Sequence, residues 1–471
     1  MKSSIDPNVW SVAEEAFHQW GIPGLVIGLL QDGTTDIRAF GIASVETGYP
    51  LLPESAFRLA SITKPFVATL VALLIQEGLV NPDQPIVDYL PNLRLPDAGE
   101  ADITVRHLLT HTSGLDSEIP VNLSSYGRGD DALERLVGSR PPVRRWMPPG
   151  QVFSYSNFNY WLLGAIAGRC TSGTFEEAIG GRLLTPFGLE RTFLFVDEAI
   201  AHPVAVGHHP DYPGSRNHLV SKSGYSPARV RVPSGGLIST AGDLLIFARQ
   251  YLAAGSPQVL SHDLIAAVVQ GEAQPGWGGR YGWGWCTESL AGQEVIKHDG
   301  GAGGFSTTLR IVPSRGFALV VLTNSARSTG MAHIADWAMA EFAGLHWRRP
   351  NAIQAEQGAL TAVAGRYQSI TGSALVEPQE NGLRLELTER DPVTGEKSPP
   401  SIEWADPVGG LSYCMRGGEL DGMVFDFLAL AGGPGTPPTH IRLGGLAERA
   451  AISDRSTPLS STGSRAHRER L

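Results

Sequence analysis

The sequence predicts an α+β protein in two parts: an antiparallel sheet flanked by helices with a helical subdomain, then a small C-terminal antiparallel β-barrel-like unit. Three observations lead there. Strand-like runs stand at both ends of the first 345 residues with helical stretches between them, so distant segments must complete one sheet. A nearly all-apolar run follows Ser61, and residues 365–446 carry short alternating runs separated by Gly and Pro clusters. A length of 471 residues also exceeds what one hydrophobic core organises.

The elements follow in order. Gly24 to Leu30 is apolar, Gln31-Asp32-Gly33 is turn chemistry, and Thr35 to Ala43 resumes a strand, which together predict a hairpin. Pro65 to Glu77 is apolar on nearly every side and stops at Gly78, as a buried helix does. Thr104 to Thr110 reads as a short capped helix ended by Ser113-Gly114, and Asn159 to Arg169 as a longer one. Thr240 and Asp243 have capping-box spacing and open a helix through Ile246 to Leu252. Four strands return the chain to the sheet: Tyr281–Cys286, Val295–Asp299, Ser306–Val312 and Phe317–Thr323. The charged, proline-marked stretch His346 to Asn351 predicts a boundary, giving domains at 1–348 and 349–450. Residues 451–471, rich in Ser, Thr and Arg without apolar period, are expected to be disordered.

Composition excludes several function classes. With 47 acidic against 37 basic side chains the formal charge is -10, which repels nucleic-acid backbones, and no basic patch offsets it. The apolar run Phe66 to Ile75 is about half of what a bilayer span requires, so no membrane partner is expected. No export signal is visible before Glu14 and Glu15, and the three cysteines, Cys170, Cys286 and Cys414, stand far apart with no Cys-x-x-Cys pair to hold a metal. A cytoplasmic protein with no metal and no organic cofactor is the expectation.

Ser61-Ile62-Thr63-Lys64 stands just before the apolar helix, and a spacing of three brings the two side chains together. A serine hydroxyl needs a neighbour to take its proton, and a desolvated lysine can do so. Such a tetrapeptide alone more often means a capping serine beside a solvated lysine. Here it is followed by Tyr155-Ser156-Asn157 after a Pro148-Pro149-Gly150 turn, and by His298-Asp299-Gly300-Gly301 at the end of a strand.

These three motifs in this order resemble the serine β-lactamase and penicillin-binding protein family, particularly its class C, D-alanyl-D-alanine carboxypeptidase and esterase branch. The resemblance covers roughly residues 10 to 345 and extends to Phe57-Arg58-Leu59-Ala60, Ile103 to Leu115, Ser234-Gly235-Gly236-Leu237 and Tyr281-Gly282-Trp283-Gly284-Trp285. It implies a β-lactamase/transpeptidase-like catalytic domain followed by a lipocalin-like one. It makes Ser61 the acylated nucleophile, Lys64 its proton acceptor, Tyr155 the proton shuttle and Asn157 the group that orients Lys64 and substrate. The backbone N–H groups of Ser61 and Gly301 would form the oxyanion hole, with Gly300 and Gly301 lining the substrate. His298 stands where β-lactamases carry the lysine of Lys-Thr-Gly, which points away from β-lactam hydrolysis and towards the carboxypeptidase and D-peptidase branches. There it would hydrogen-bond Tyr155 or bind substrate.

Other constellations carry less. His107 and His111 have a metal-compatible spacing but no Glu between them in the His-Glu-x-x-His manner, so packing or capping is expected of both. Of Trp277, Trp283 and Trp285, at least two are expected to pack rather than line a cleft. Arg442 reads as a surface arginine, with a substrate carboxylate contact as the alternative. Three functions remain open: a hydrolase releasing the Ser61 acyl group of an ester or D-residue peptide to water; a thioesterase or transpeptidase passing it, from a small-molecule, peptide or carrier-bound peptide substrate, to an amine; and a non-catalytic scaffold.

Overall fold

The computed structural model describes residues 7–97, 99–211, 215–222, 225, 228–252, 259–326, 328–430 and 436–450. The expected disordered tail at 451–471 lies outside the described residues. The strands are β1 (Gly24–Gln31), β2 (Thr34–Gly41), β3 (Phe57–Arg58), β4 (His208–Pro210), β5 (His218–Val220), β6 (Ile238–Ser239), β7 (Arg280–Tyr281), β8 (Cys286–Leu290), β9 (Gln293–Ala302), β10 (Phe305–Val312) and β11 (Phe317–Thr323). Seven of them form one antiparallel sheet in the order β2-β1-β11-β10-β9-β8-β7, so the N-terminal hairpin docks beside the last strand of the domain. β3 pairs with β6 and β4 with β5 in two small ribbons.

Both faces of the sheet are covered, which explains why β1 and β11 are apolar throughout rather than alternating. Val26 and Leu30 of β1 and Val320 and Leu322 of β11 face the large core built on the helices Thr63–Gln76, Asn157–Cys170 and Ala241–Ala248. Leu25, Ile27, Leu319 and Val321 point the other way, onto Phe17 and Ile334 of the helices Pro7–Trp20 and Ser328–Ala343. The Thr63–Gln76 helix is the centre of the large core. Its Leu70, Val71 and Leu74 are wholly buried, each contributing about 1.5–3 kcal/mol over exposure. Gly78 ends it in a left-handed conformation, φ +74°.

Two local expectations need correction. Tyr281–Cys286 is not one strand: β7 ends at Tyr281, β8 starts at Cys286, and residues 282–285 turn between them. The alternation of glycine and tryptophan there imitates a strand. Gly282 instead allows close approach to the Val268 and Gln270 carbonyls, and Gly284 takes φ +75°. The capping box at Thr240 is half formed. Thr240 accepts the Asp243 N–H at 3.2 Å, but the Asp243 carboxylate turns away to Arg191 N and Thr192 Oγ1, and the α-helix it opens ends at Ala248.

The C-terminal strands are β12 (Gly365–Gln368), β13 (Gly372–Gln379), β14 (Gly382–Glu389), β15 (Ser401–Gly409), β16 (Ser412–Arg416), β17 (Val424–Leu428), β18 (His440–Leu443) and β19 (Gly445–Arg449). They close into an eight-stranded barrel in sequence order, β19 pairing back to β12. Alternate residues such as Tyr367, Val376, Leu385, Tyr413, Phe425 and Phe427 fill its interior. No helix among the described residues is long and apolar enough to cross a membrane.

Candidate active site

Ser61 sits on a single 3₁₀ turn, Ala60–Ile62, that feeds the Thr63–Gln76 helix; the preceding Ala60 is held at φ +49°, a conformation costly for a residue with a Cβ. Lys64, one turn on, is fully buried. Its Nζ meets three oxygens: Ser61 Oγ at 3.1 Å, Asn157 Oδ1 at 2.8 Å and the Ser234 carbonyl at 2.9 Å. Burial lowers its pKa to about 7, with Glu118 pulling the other way. A neutral amine here can donate its two protons to Asn157 and Ser234 and turn its lone pair to the serine hydroxyl. The geometry therefore suits proton removal from Ser61.

Asn157 opens its helix, and Ser156 caps it by accepting the Asn159 N–H. Tyr155, just before the cap, lies with its ring 4.6 Å from Lys64 Nζ. Its hydroxyl is buried without a hydrogen bond. Burial pushes its pKa far up, and the neighbouring Ser61 hydroxyl opposes that rise. Tyr155 is thus a neutral phenol whose oxygen lies beside the Ser61 hydroxyl without a well-formed hydrogen bond.

His298 lies on β9 with its ring 6.4 Å from that of Tyr155. Nδ1 can only donate to the Asp299 carbonyl at 2.7 Å, which leaves Nε2 to accept from the Tyr281 hydroxyl at 3.2 Å. The expected hydrogen bond to Tyr155 is therefore absent, because Tyr281 occupies that nitrogen. Burial and the Lys64 charge hold His298 well below the usual histidine range. Gly300 is where β9 presses on the serine turn: a Cβ there would lie 2.2 Å from the Leu59 carbonyl and 3.1 Å from Ser61 N. Gly301 is exposed beside it, with open space where its side chain would be. The sites expected from sequence, Ser61, Lys64, Tyr155, Asn157, His298, Gly300 and Gly301, thus gather in one place.

Sequence reasoning missed several neighbours. Glu118 accepts from Asn157 Nδ2 at 3.0 Å and pairs with Arg231 at 2.7 Å; a lone Glu in a loop gave no signal. His111 was expected to pack or cap, and it packs, with its ring 4.4 Å from Tyr155. Its Nδ1 accepts the Ser156 N–H, so the neutral ring carries its proton on Nε2, buried and unpaired. His107 is the capping one, closing a box with Thr104. Trp283 and Trp285 are buried. Trp277 stands edge-on to Phe153.

Arg442 is the clearest correction. It is neither a surface arginine nor free for a substrate carboxylate, being 7% exposed, locked in two hydrogen bonds to Asp426, and donating to the Gln274 carbonyl at 2.8 Å. It ties β18 of the barrel to the first domain. Between the two lies a cavity of about 470 Å³, lined by Asp116, Ser117 and Tyr155 on one side and by Leu387, Glu403 and Leu443 on the other.

Comparison with known proteins places this geometry. Penicillin-binding protein 4 of Amycolatopsis lactamdurans is 31% identical over 331 residues, 65% of this chain and 82% of that one. The unguisins hydrolase of Aspergillus campestris is 25% identical over 70% of this chain, which spans 63% of its length. The crystal structure of SurE superposes with a TM-score of 0.73 at 26% identity, covering 94% of this chain and 98% of SurE, and SurE has also been solved with D-Leu. The β-lactamase family model matches residues 11–344, the stretch that carries every motif from Ser61 to Gly301, and this chain belongs to the β-lactamase family.

Proposed function

We propose that this protein is a serine hydrolase that forms an acyl-enzyme on Ser61 and cleaves an ester, or an amide or peptide bond beside a D-residue. The observation that carries this reading is the placement of Lys64 Nζ, 3.1 Å from Ser61 Oγ with its other two partners both acceptors. Ser61 Oγ attacks the carbonyl carbon as its proton passes to neutral Lys64. The oxyanion settles on the backbone N–H groups of Ser61 and Gly301. Tyr155 then gives its proton to the departing alcohol or amine and recovers one from Lys64, and water repeats the sequence to free the acid. His298, bonded to Tyr281, acts as a neutral wall of the site, while Gly300 and Gly301 let the substrate lie along β9. The D-residue preference takes support from the D-Leu seen with SurE.

A second reading replaces water with an amine, giving a thioesterase or transpeptidase acting on a peptide or carrier-bound peptide. The cavity beside Tyr155, walled by the barrel, favours it, since it offers room for a second chain segment. One experiment separates the two. Intact-mass spectrometry after exposure to p-nitrophenyl butyrate, a D-Ala-D-Ala peptide and a peptidyl thioester with a free amine is expected to find an adduct on the wild type and none on Ser61→Ala. Free acid as product supports the hydrolase, and cyclic or amine-captured product the transferase. Equal labelling of wild type and Ser61→Ala would reject both.

A further inference from the structure

We infer that Glu118 is a positioning residue for acylation: it holds the Asn157 amide in the one orientation that turns Oδ1 to Lys64, and with Arg231 it sets the charge that Lys64 faces. This rests on the acyl-enzyme reading of Ser61 and Lys64.

An asparagine amide has two nearly equivalent orientations, and only its partners choose between them. A carboxylate accepts and never donates, so Glu118 Oε1 at 3.0 Å demands the NH2 end of Asn157, and Oδ1 is left facing Lys64 at 2.8 Å. A flipped amide would set its oxygen against the carboxylate and its NH2 against the lysine amine, two unfavourable contacts at once. Glu118 is itself fixed. Its other oxygen takes Arg231 at 2.7 Å, and the loop before it is bound to the start of the Asn157 helix: Ser156 Oγ donates to the Asp116 carbonyl and the Phe158 N–H to the Ser117 carbonyl. Arg231 is half-exposed and spans back over Trp161; its own carbonyl accepts from Ser234, whose carbonyl in turn accepts from Lys64. The two arms of the Lys64 cradle, Asn157 and Ser234, are therefore both tied to this one ion pair.

The charges around Lys64 are few. Tyr155 and Tyr160 present neutral rings, His111 and His298 are kept neutral by burial, and Asp299 behind His298 faces Lys297 and Arg310. Glu118 is the carboxylate whose field reaches Lys64, and it faces in turn Arg231, Asn157 and, more distantly, Asp116. A negative Glu118 favours protonated Lys64. Removing that charge makes the amine easier to deprotonate.

The test follows Ser61 acylation by a fluorophosphonate against pH, by intact mass, in the full-length chain. Glu118→Gln keeps the shape but only one of the two acceptor oxygens and removes the charge, so its rate is expected to begin rising about one pH unit lower than in the wild type, with a plateau that falls to the extent that the remaining oxygen turns to Arg231 rather than Asn157. Glu118→Ala loses the acceptor too, and its plateau is expected to fall about tenfold or more as Asn157 is freed to flip. A Glu118→Gln profile superimposed on the wild type, or a Glu118→Ala plateau equal to it, overturns the inference. Should the alanine variant fail to fold, the isosteric glutamine variant decides. No Ser61 adduct on the wild type would instead overturn the acyl-enzyme reading, and this inference with it.

Discussion

The backbone N–H of Tyr155 donates to the carbonyl of Gly444 at 3.3 Å, so the tyrosine facing Ser61 takes its main-chain support from the C-terminal barrel. Gly444 sits in the β18–β19 turn at φ +79°. Two residues before it, Arg442 reaches the Gln274 carbonyl and, at 3.5 Å, the Phe153 carbonyl, on the same segment as Tyr155. The barrel is thereby joined to the segment that positions the phenol.

Arg442→Met is expected to act on both stability and turnover. It leaves Asp426, only 13% exposed at its side chain, without its cation, and breaking a buried pair on one side costs about 3–5 kcal/mol. Asp426→Asn in the same chain should restore much of that stability, because no bare charge remains, but not the tie to Gln274. Denaturant unfolding and kcat of the single and double variants separate the two effects. A double variant that recovers kcat along with stability would show that the tie is dispensable for turnover.

Tyr155→Phe is expected to separate them in the opposite sense. The buried hydroxyl has no partner in good hydrogen-bond geometry and only the Ser61 hydroxyl beside it, so deleting it removes little and should change stability by less than about 1 kcal/mol, in either direction. Turnover should fall by about 10²-fold or more, since a positioned acid–base group typically supplies that factor, with KM little altered. Wild-type kcat in a folded Tyr155→Phe chain removes the phenol from the reaction.

What could be read from the sequence, and what could not, follows from how each residue works. Ser61 and Lys64 are brought together by a local spacing on one helical turn, and Tyr155 and Asn157 by a cap beside a helix start, so short motifs carry them. The buried strands β1 and β11 are legible because covering both faces of a sheet demands continuous apolar runs. The Ser234 carbonyl and the Glu118 charge reach Lys64, and Arg231 reaches Glu118, only through tertiary closure across intervals of 54 to 170 positions, and no spacing rule reaches so far. Arg442 misleads for the same reason. An arginine in an alternating strand looks solvated until Asp426 and a neighbouring domain are placed around it. The Tyr281–Cys286 stretch misleads differently, because glycines needed for close packing reproduce the period of a strand.

The buried Lys64 makes a paired prediction about pH. Its pKa stands at about 7 in the fold against about 10.4 in an unfolded chain, so the unfolded state binds the extra proton between those values. For a base whose folded pKa is depressed, the stabilising contribution is complete above the unfolded value and lost as pH falls through the folded one. Stability from this group should therefore rise from pH 7 to pH 10, by about 3–4 kcal/mol. Over the lower part of the same range activity should appear: with Lys64 as the proposed proton acceptor, the rate of acylation should climb through about pH 7 and then level off. Lys64→Met should abolish acylation and also flatten the alkaline rise in stability relative to the wild type. Chemical unfolding of the two chains at pH 7 and pH 9.5 checks the second half without any substrate. Parallel stability curves would mean that Lys64 keeps an ordinary pKa in the fold, and the serine would then need another base.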